Sequence, residues 1–247
     1  MGQKRTVTIH TNFRYKHQRD WAASLARGCE RHGDVPLITG SPTEAGDIHI
    51  ALGPHYAMQP WIGRRDVILL DRCYYGDTHD VARLGWLRPD GALTFAQGYH
   101  RPAPATKEWR YSGDTVLILA DFGQNTKAIV AEARGYYSEV RVRLHPANDQ
   151  PGETLQEAIS RADAVIGTAG TALIQAILNG VPTTCLDPRH IARPVTAHVI
   201  GDTHMPDRTA WLRDIAYAQW SHNEMQTGEA WEHLNETNTL ERHAAYF

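Results

Sequence analysis

Cysteine, long apolar runs and net charge are all scarce in this chain of 247 residues. Its cysteines, Cys29, Cys73 and Cys185, are odd in number and far apart, which excludes a disulfide framework or a zinc knuckle and matches reduced thiols. No apolar run approaches the roughly 18 residues needed to cross a bilayer, so no membrane partner is expected. The first residues lead straight into a strand-like segment with no apolar signal core, and the expected compartment is the cytoplasm. With 25 basic and 28 acidic side chains the formal net charge is −3, which excludes a protein that coats nucleic acid over its whole surface. Several catalytic signatures are missing as well. The fourteen histidines show no metal-ligand spacing, so no metal is expected. There is no phosphate-binding loop ending in Gly-Lys-Ser/Thr, no dinucleotide fingerprint and no Gly-x-Ser-x-Gly elbow, which sets aside the usual kinase, dehydrogenase and hydrolase readings.

What remains is an ordinary globular composition, 42% hydrophobic and 21% charged, enough to bury a core. Arg5–His10 is β-branched and short, and from Asp20 to His32 apolar residues recur at helical spacing through Trp21, Leu25 and Cys29. Val35–Thr39, Asp47–Leu52 and Val67–Leu70 read as further strands. The last is continuously apolar, as in a parallel sheet covered on both faces. Between residues 72 and 112 periodicity weakens. Arg88-Pro-Asp-Gly91 spells a turn, giving at most a short hairpin, and His100-Arg-Pro-Ala-Pro-Ala105 can be neither helix nor central strand, so it reads as a linker.

From Asp114 strands and helices alternate: Thr115–Ala120, Thr126–Arg134, Glu139–Leu144, Thr154–Arg161, Ala164–Ile166, Thr171–Leu178 and Val181–Leu186. That alternation predicts βαβ crossovers and a parallel sheet. Asp207 reads as the cap of a helix reaching Trp220, and Ser221-His-Asn-Glu224 has capping-box spacing for another. Trp211, Tyr217, Trp220 and Trp231 read as packing for these C-terminal helices.

The most informative stretch runs from Ala164 to Leu186: a buried strand, the turn Gly167-Thr-Ala-Gly170, a helix closed by Asn179-Gly180, and a strand opened by Pro182. Small residues in the turn admit a ligand to the backbone, Thr168 and Thr171 offer hydroxyls, and the helix presents free N–H groups and the positive end of its dipole. A phosphate suits such a cradle; an unliganded strand-to-helix turn is the plain alternative. The earlier strand ends in Arg141-Val-Arg-Leu-His-Pro146 and delivers Arg143 or His145 to the same carboxyl edge, where open α/β sheets bind ligands; a histidine that merely caps the strand is the plain alternative.

A His-Pro after a strand, followed by strand, Thr/Gly turn and helix ending in Gly-x-Pro, resembles the nucleotide-sugar half of GT-B glycosyltransferases, including capsule-type enzymes with CMP-activated donors. The resemblance covers residues 114–187. It implies an α/β fold of two small Rossmann-like halves with parallel sheets facing a cleft. By that implication residues 1–105 form the acceptor-side domain, and 106–247 the nucleotide-sugar domain with its last helices crossing back. It also implies that Thr168, Gly170 and Thr171 contact donor phosphates, with Arg143 and His145 assisting. Many members place a glutamate on this helix to hold ribose; Gln175 stands there instead, and its amide can bond the same hydroxyls. The chain is shorter than typical members. The chain also resembles, in its compactness, the phage-encoded and prophage-type sugar transferases that act on modified DNA bases, which implies the host cytoplasm for a phage-encoded chain.

Two further patterns bear on the acceptor and the chemistry. His10–Arg19 holds Arg14, Lys16 and Arg19 without an acid, interleaved with Phe13 and Tyr15, while residues 222–247 hold five glutamates and one arginine. The basic loop suits an anionic acceptor, DNA with a hydroxymethylated base among them, and Arg64-Arg65 near Trp61 extends it; a solvated loop is the alternative. An inverting transfer needs a base, for which Asp71 at a strand end comes first and Asp77 second; for Asp71 the rival reading is an ion pair beside Arg72. The expectation is metal-independent transfer from a UDP- or CMP-linked donor with no further cofactor. A nucleotide-sugar epimerase without NAD and a non-catalytic nucleotide- or DNA-binding module are the competing readings.

Overall fold

The computed structural model describes residues 4–41, 43, 45–52, 64, 66–77, 79–87, 92–94, 101–110, 113–120, 125–145 and 152–237. Packing divides the chain into two compact units, Met1–Pro102 with Arg213–Phe247, and Ala103–Leu212. The first boundary falls inside the proline segment. The stretch from Arg213 groups with the first unit; the sequence reading placed it in 106–247 as helices crossing back.

The first unit is built on β1 (Thr6–His10), α1 (Lys16–Arg31), β2 (Val35–Thr39), β3 (Ile48–Leu52), β4 (Val67–Arg72), β5 (Val81–Leu87) and β6 (Leu93–Thr94). Its sheet runs β11-β5-β4-β3-β1-β2, with β6 also on β5 and β11 supplied by Gln219–Ser221. Strands β2, β1, β3 and β4 are parallel, so His10, Leu52 and Arg72 end on one edge. β5 turns back antiparallel to β4, and β11 is antiparallel to β5, which makes this sheet mixed rather than wholly parallel. Val7, Ile9, Ile50, Ile68, Leu70, Leu84 and Trp86 share one face and pack on α1, α6 (His222–Thr227) and α7 (Glu229–Thr237). Ser221 caps α6 through the reciprocal bonds that its spacing with Glu224 predicts.

Four tryptophans, Trp21, Trp86, Trp220 and Trp231, are fully buried in this core. Each removes roughly 150–250 Å² from water, so the C-terminal helices are integral to the unit. Two of the indoles also close polar accounts: Trp86 donates to the Leu234 carbonyl at 2.9 Å, and Trp231 to the Asp34 carboxylate at 2.8 Å. Arg101 secures the same segment, lying 4.1 Å over the Trp220 ring and pairing with Glu224 at 2.8 Å.

The second unit carries β7 (Thr115–Ala120), α2 (Thr126–Ala133), β8 (Glu139–Leu144), α3 (Leu155–Ser160), β9 (Ala164–Gly167), α4 (Thr171–Leu178) and β10 (Thr183–Cys185), and the boundary after Leu212 falls within α5 (Thr209–Ala216). Its sheet is all parallel, in the order β10-β9-β7-β8. The central strand β7 is apolar at every inner position because both faces are covered. Val116 and Ile118 meet Ile129, Ala133 and Ile200, while Leu117 and Leu119 meet Ile159, Leu173 and Ala176. This doubly wound arrangement is the α/β fold expected from the sequence.

Candidate functional site

In the second unit the path β7-α2-β8 steps to one side of β7, and β9-α4-β10 steps to the other. The order therefore reverses between β7 and β9, and at the carboxyl edge of such a reversal the two connections diverge and leave room for a ligand. The turn Thr168-Ala169-Gly170 lies there. Gly170 has φ 95° and ψ 160°, a region in practice open only to glycine, and it is the N-cap of α4 with no side-chain bond to the helix. The threonine cap that would mark an unliganded turn is thus missing, and the first N–H groups of α4 face the edge without it. Thr171 opens the helix, and Gln175 lies one turn on, on the same face.

His145 directly follows β8, two strands away from β9, which at the usual spacing is about 10 Å. Arg143 turns to the loop before α3, where its guanidinium donates to the Glu153 carbonyl at 2.9 Å, while Arg141 pairs with the Glu153 carboxylate at 2.6 Å. Pro146 lies outside the described residues. Thr168, Gly170, Thr171 and Gln175 thus form one local group, and His145 shares their edge.

The segment after β10 adds groups that the sequence reading missed. Arg189 grips Asp187 through two 3.0 Å bonds, and burial of the Asp187 carboxyl is outweighed by Arg189, so that its pKa lies below the ordinary value. Arg193 donates to the Cys185 carbonyl at 2.7 Å. β10 neighbours β9, so these charges belong to the edge that bears the Thr/Gly turn. The signal was available: Asp187-Pro188 follows a strand in the sequence, as His145-Pro146 does.

In the first unit the order reverses between β1 and β3, and the segment leaving β1 begins α1 four residues earlier than its apolar periodicity suggests. Lys16 and Arg19 consequently sit in the first turns of a helix rather than in a loop. Lys16 pairs with Asp20 at 2.5 Å and Arg19 donates to the Phe13 carbonyl, whereas the Arg14 side chain is exposed. Phe13 and Tyr15 are about half exposed. Arg64 is held by Asp66 through bonds of 3.0 and 2.5 Å; Arg65 and Trp61 lie outside the described residues.

Asp71 and Asp77 are both engaged. Asp71 is buried near the end of β4 and accepts from the Arg83 guanidinium at 2.6 Å and from the Arg72 N–H at 2.7 Å. The ion-pair partner is Arg83 across the sheet, not the neighbouring Arg72. Asp77 caps a turn through the His79 N–H at 2.8 Å. His10, at the end of β1, stacks on the fully buried His49 with 3.2 Å between Nε2 and Nδ1. His222 is bonded to Ser24 and to the His79 carbonyl. His17 differs, because no hydrogen bond engages its ring among the described residues; it rests edge-on against Trp21, 4.8 Å between centroids. Burial lowers its pKa, and Arg72 and His79 push the same way against Asp71 and Asp20. Among the described residues no group of three or more His, Cys, Asp or Glu is placed to hold a metal ion, and no helix is long and apolar enough to cross a membrane.

No family model matches the chain, and no curated protein matches it. Solved structures do. A beta Kdo 2,7 transferase of Thermosulfurimonas dismutans KpsC superposes with a TM-score of 0.51 at 10% identity, covering 95% of this chain and 100% of the other. The beta Kdo 2,4 transferase of the same KpsC gives 0.45 at 10% identity over 88% and 91%. The chain shares the fold of the first. With one residue in ten in common, the likeness concerns architecture, and the chemistry has to be argued from the edges described above.

Proposed function

We propose that the chain transfers a sugar from a nucleotide-sugar donor to a hydroxyl acceptor, by inversion and without a metal. One observation carries this reading: the Thr168–Gly170 turn sits at the reversal of an all-parallel sheet and leads into an α4 whose N-terminus has no side-chain cap. Phosphate oxygens would take the free N–H groups and the dipole, with Thr168 and Thr171 hydroxyls beside them. Gln175, one turn along, would reach the ribose. Arg143 and His145 on the same edge would add donors, and the fold held in common with a Kdo transferase supports transfer over epimerisation.

The developing charge in such a reaction is on the departing phosphate, so preorganised N–H groups and nearby cations favour the transition state over the ground state. In this reading residues 103–212 hold a UDP- or CMP-linked donor and the basic start of α1 holds the acceptor. The exposed Arg14, with Phe13 and Tyr15 half exposed beside it, favours an acceptor that is anionic and can stack. Hydroxymethylated DNA belongs in the acceptor panel for that reason.

Calorimetric titration with CMP and UDP tests the donor site. Binding in the wild type and its loss in Thr171→Glu, which sets a carboxylate where the phosphate should sit, is the expected pair of results. Indifference to Thr171→Glu would sink the phosphate cradle. Mass spectrometry of sugar transfer to the acceptor panel separates a transferase from a binding module, which takes nucleotide but releases no product.

A further inference from the structure

The exit of β1 holds a buried hydroxyl that the fold does not use. Thr11 is 5% exposed, and its Oγ1 has no hydrogen-bond partner among the described residues. Buried polar groups are seldom left so. The Thr11 N–H bonds to the Thr39 carbonyl at 2.9 Å, which continues the pairing of β1 with β2 one residue past His10. Side chains alternate along such an extended chain, so Thr11 is in phase with Val7 and Ile9, on the face that packs on α1. The first turn of α1 comes to the same place: the buried Gln18 accepts the N–H of Asn12, the residue after Thr11, at 3.1 Å.

That turn favours a negative charge. α1 has 16 residues, no acid in its first turn, and an N-cap, Tyr15, whose side chain bonds none of its N–H groups. Its dipole and first N–H groups are therefore turned to whatever anion reaches the edge. The nearby carboxylates are engaged, Asp20 by Lys16 at 2.5 Å and Asp71 by Arg83 at 2.6 Å. Of the cations, Lys16 is paired with Asp20 and Arg19 is turned to the Phe13 carbonyl. Arg14 and, at the end of β4, Arg72 differ, because their side chains have no bonded partner among the described residues. Arg72 is close enough to act on the charge of His17, the second residue of α1. Every one of these groups belongs to the first unit.

We propose that the first unit carries a phosphate subsite at the start of α1, where the Thr11 hydroxyl, the first N–H groups of the helix, Arg14 and Arg72 hold a terminal phosphate monoester of the acceptor. Its assignment to the acceptor rests on the proposed transfer; the binding of phosphate does not. A hydroxyl as deep as that of Thr11 is met by an oxygen at the end of a molecule. Two unengaged guanidiniums match one phosphate dianion, whereas a nucleic-acid backbone is held by a row of cations, and here Lys16 and Arg19 are already engaged. His17 reports occupancy. Burial, Arg72 and His79 lower its pKa against Asp71 and Asp20, and a dianion bound beside the ring raises it again.

The test uses the full chain carrying Thr171→Glu, which closes the cradle at α4, so that phosphate bound by this protein is bound elsewhere. Calorimetry with inorganic phosphate and with phenyl phosphate should show binding that Thr11→Val weakens about fivefold and Arg72→Gln about tenfold, with no change in Arg31→Gln at the far end of α1. Thr11→Val should not lower the unfolding midpoint, because its hydroxyl has no bond among the described residues to lose. In nuclear magnetic resonance the His17 ring should titrate at higher pH with phenyl phosphate than without. Absence of phosphate binding, or equal affinity in Thr11→Val, Arg72→Gln and their parent, would overturn the subsite, and binding of CMP or UDP by the wild type would then leave the donor reading standing. Displacement of phenyl phosphate by a short duplex without terminal phosphates would overturn the monoester in favour of a nucleic-acid backbone. A wild type that binds phosphate at α1 yet transfers sugar to no phosphorylated hydroxyl compound would overturn the acceptor role.

Discussion

Asp71 and Arg83 face each other across the antiparallel strands β4 and β5, with 2.6 Å between carboxylate and guanidinium and both side chains largely buried. Burial works against the Arg83 charge, but the adjoining Tyr74 and Asp71 outweigh it and hold the guanidinium charged. Removing one partner would strand the other charge, at a cost of about 3–5 kcal/mol, whereas removing both together need not. Asp71→Asn should therefore lower stability by about 3 kcal/mol in urea titration, and Asp71→Leu with Arg83→Met should recover most of the loss. Equal destabilisation by the double variant would show that the pair itself is not what matters.

A second buried carboxylate makes stability depend on pH. Burial alone would raise the pKa of Asp34, but hydrogen bonds from Arg5 and Trp231 outweigh it and leave it below the ordinary 3.8. The folded state thus binds this proton less readily than the unfolded chain, so the contribution is complete above 3.8 and is lost as pH falls through the folded value. Asp34→Asn should cost about 2 kcal/mol at pH 7 and flatten the acid limb of stability. Chemical denaturation from pH 7 to pH 3 would check both, and an unchanged acid limb would assign it to other carboxylates.

Gly170 separates the demands of the backbone from those of a ligand. With φ at 95° and ψ at 160°, any side chain there is strained by roughly 1–3 kcal/mol, and relief of that strain would rotate the first N–H groups of α4. Gly170→Ala should lower the unfolding midpoint by a few degrees and weaken CMP or UDP binding at least tenfold. Thr171→Ala, which leaves φ alone, should weaken binding without the loss of stability. Equal stability losses in the two would remove the backbone argument.

The alternation of the second unit was legible because its inner strands β7 and β9 are buried on both faces and read as apolar runs, and Thr115–Ala120, Glu139–Leu144 and Thr171–Leu178 match the structure end to end. β5 was not legible. Val81–Leu87 carries Arg83 and Gly85 at positions that ordinarily signal a loop, and only the partner Asp71, twelve residues away, makes an inward arginine tolerable. β11 was hidden for a related reason: polar Gln219 and Ser221 flank its one apolar residue, Trp220, and the Gln219 side chain is used to satisfy the N–H groups of Tyr74 and Tyr75. The start of α1 was read four residues late because Lys16, His17 and Arg19 interrupt the apolar stripe and Tyr15 gives no capping signal. The Thr168–Gly170 turn could be found from glycine and threonine spacing.

The basic start of α1 sets stability against binding. Cations near a helix N-terminus oppose its dipole by roughly 0.3–1 kcal/mol, and α1 has no acid in its first turn to offset Lys16. Lys16 is partly compensated by Asp20 and Arg19 by the Phe13 carbonyl, but the exposed Arg14 side chain has no bonded partner among the described residues. Arg14→Glu should accordingly leave the protein as stable or slightly more so, by up to about 0.5 kcal/mol. The same change should weaken an anionic acceptor, and for DNA it should reduce the slope of log affinity against log salt by about one. Stability from urea titration and binding from a salt series with a short hydroxymethylated duplex can be measured on one preparation. A variant that loses stability while its salt slope stays at the wild-type value would make Arg14 a structural residue and remove the basic start of α1 from the acceptor site.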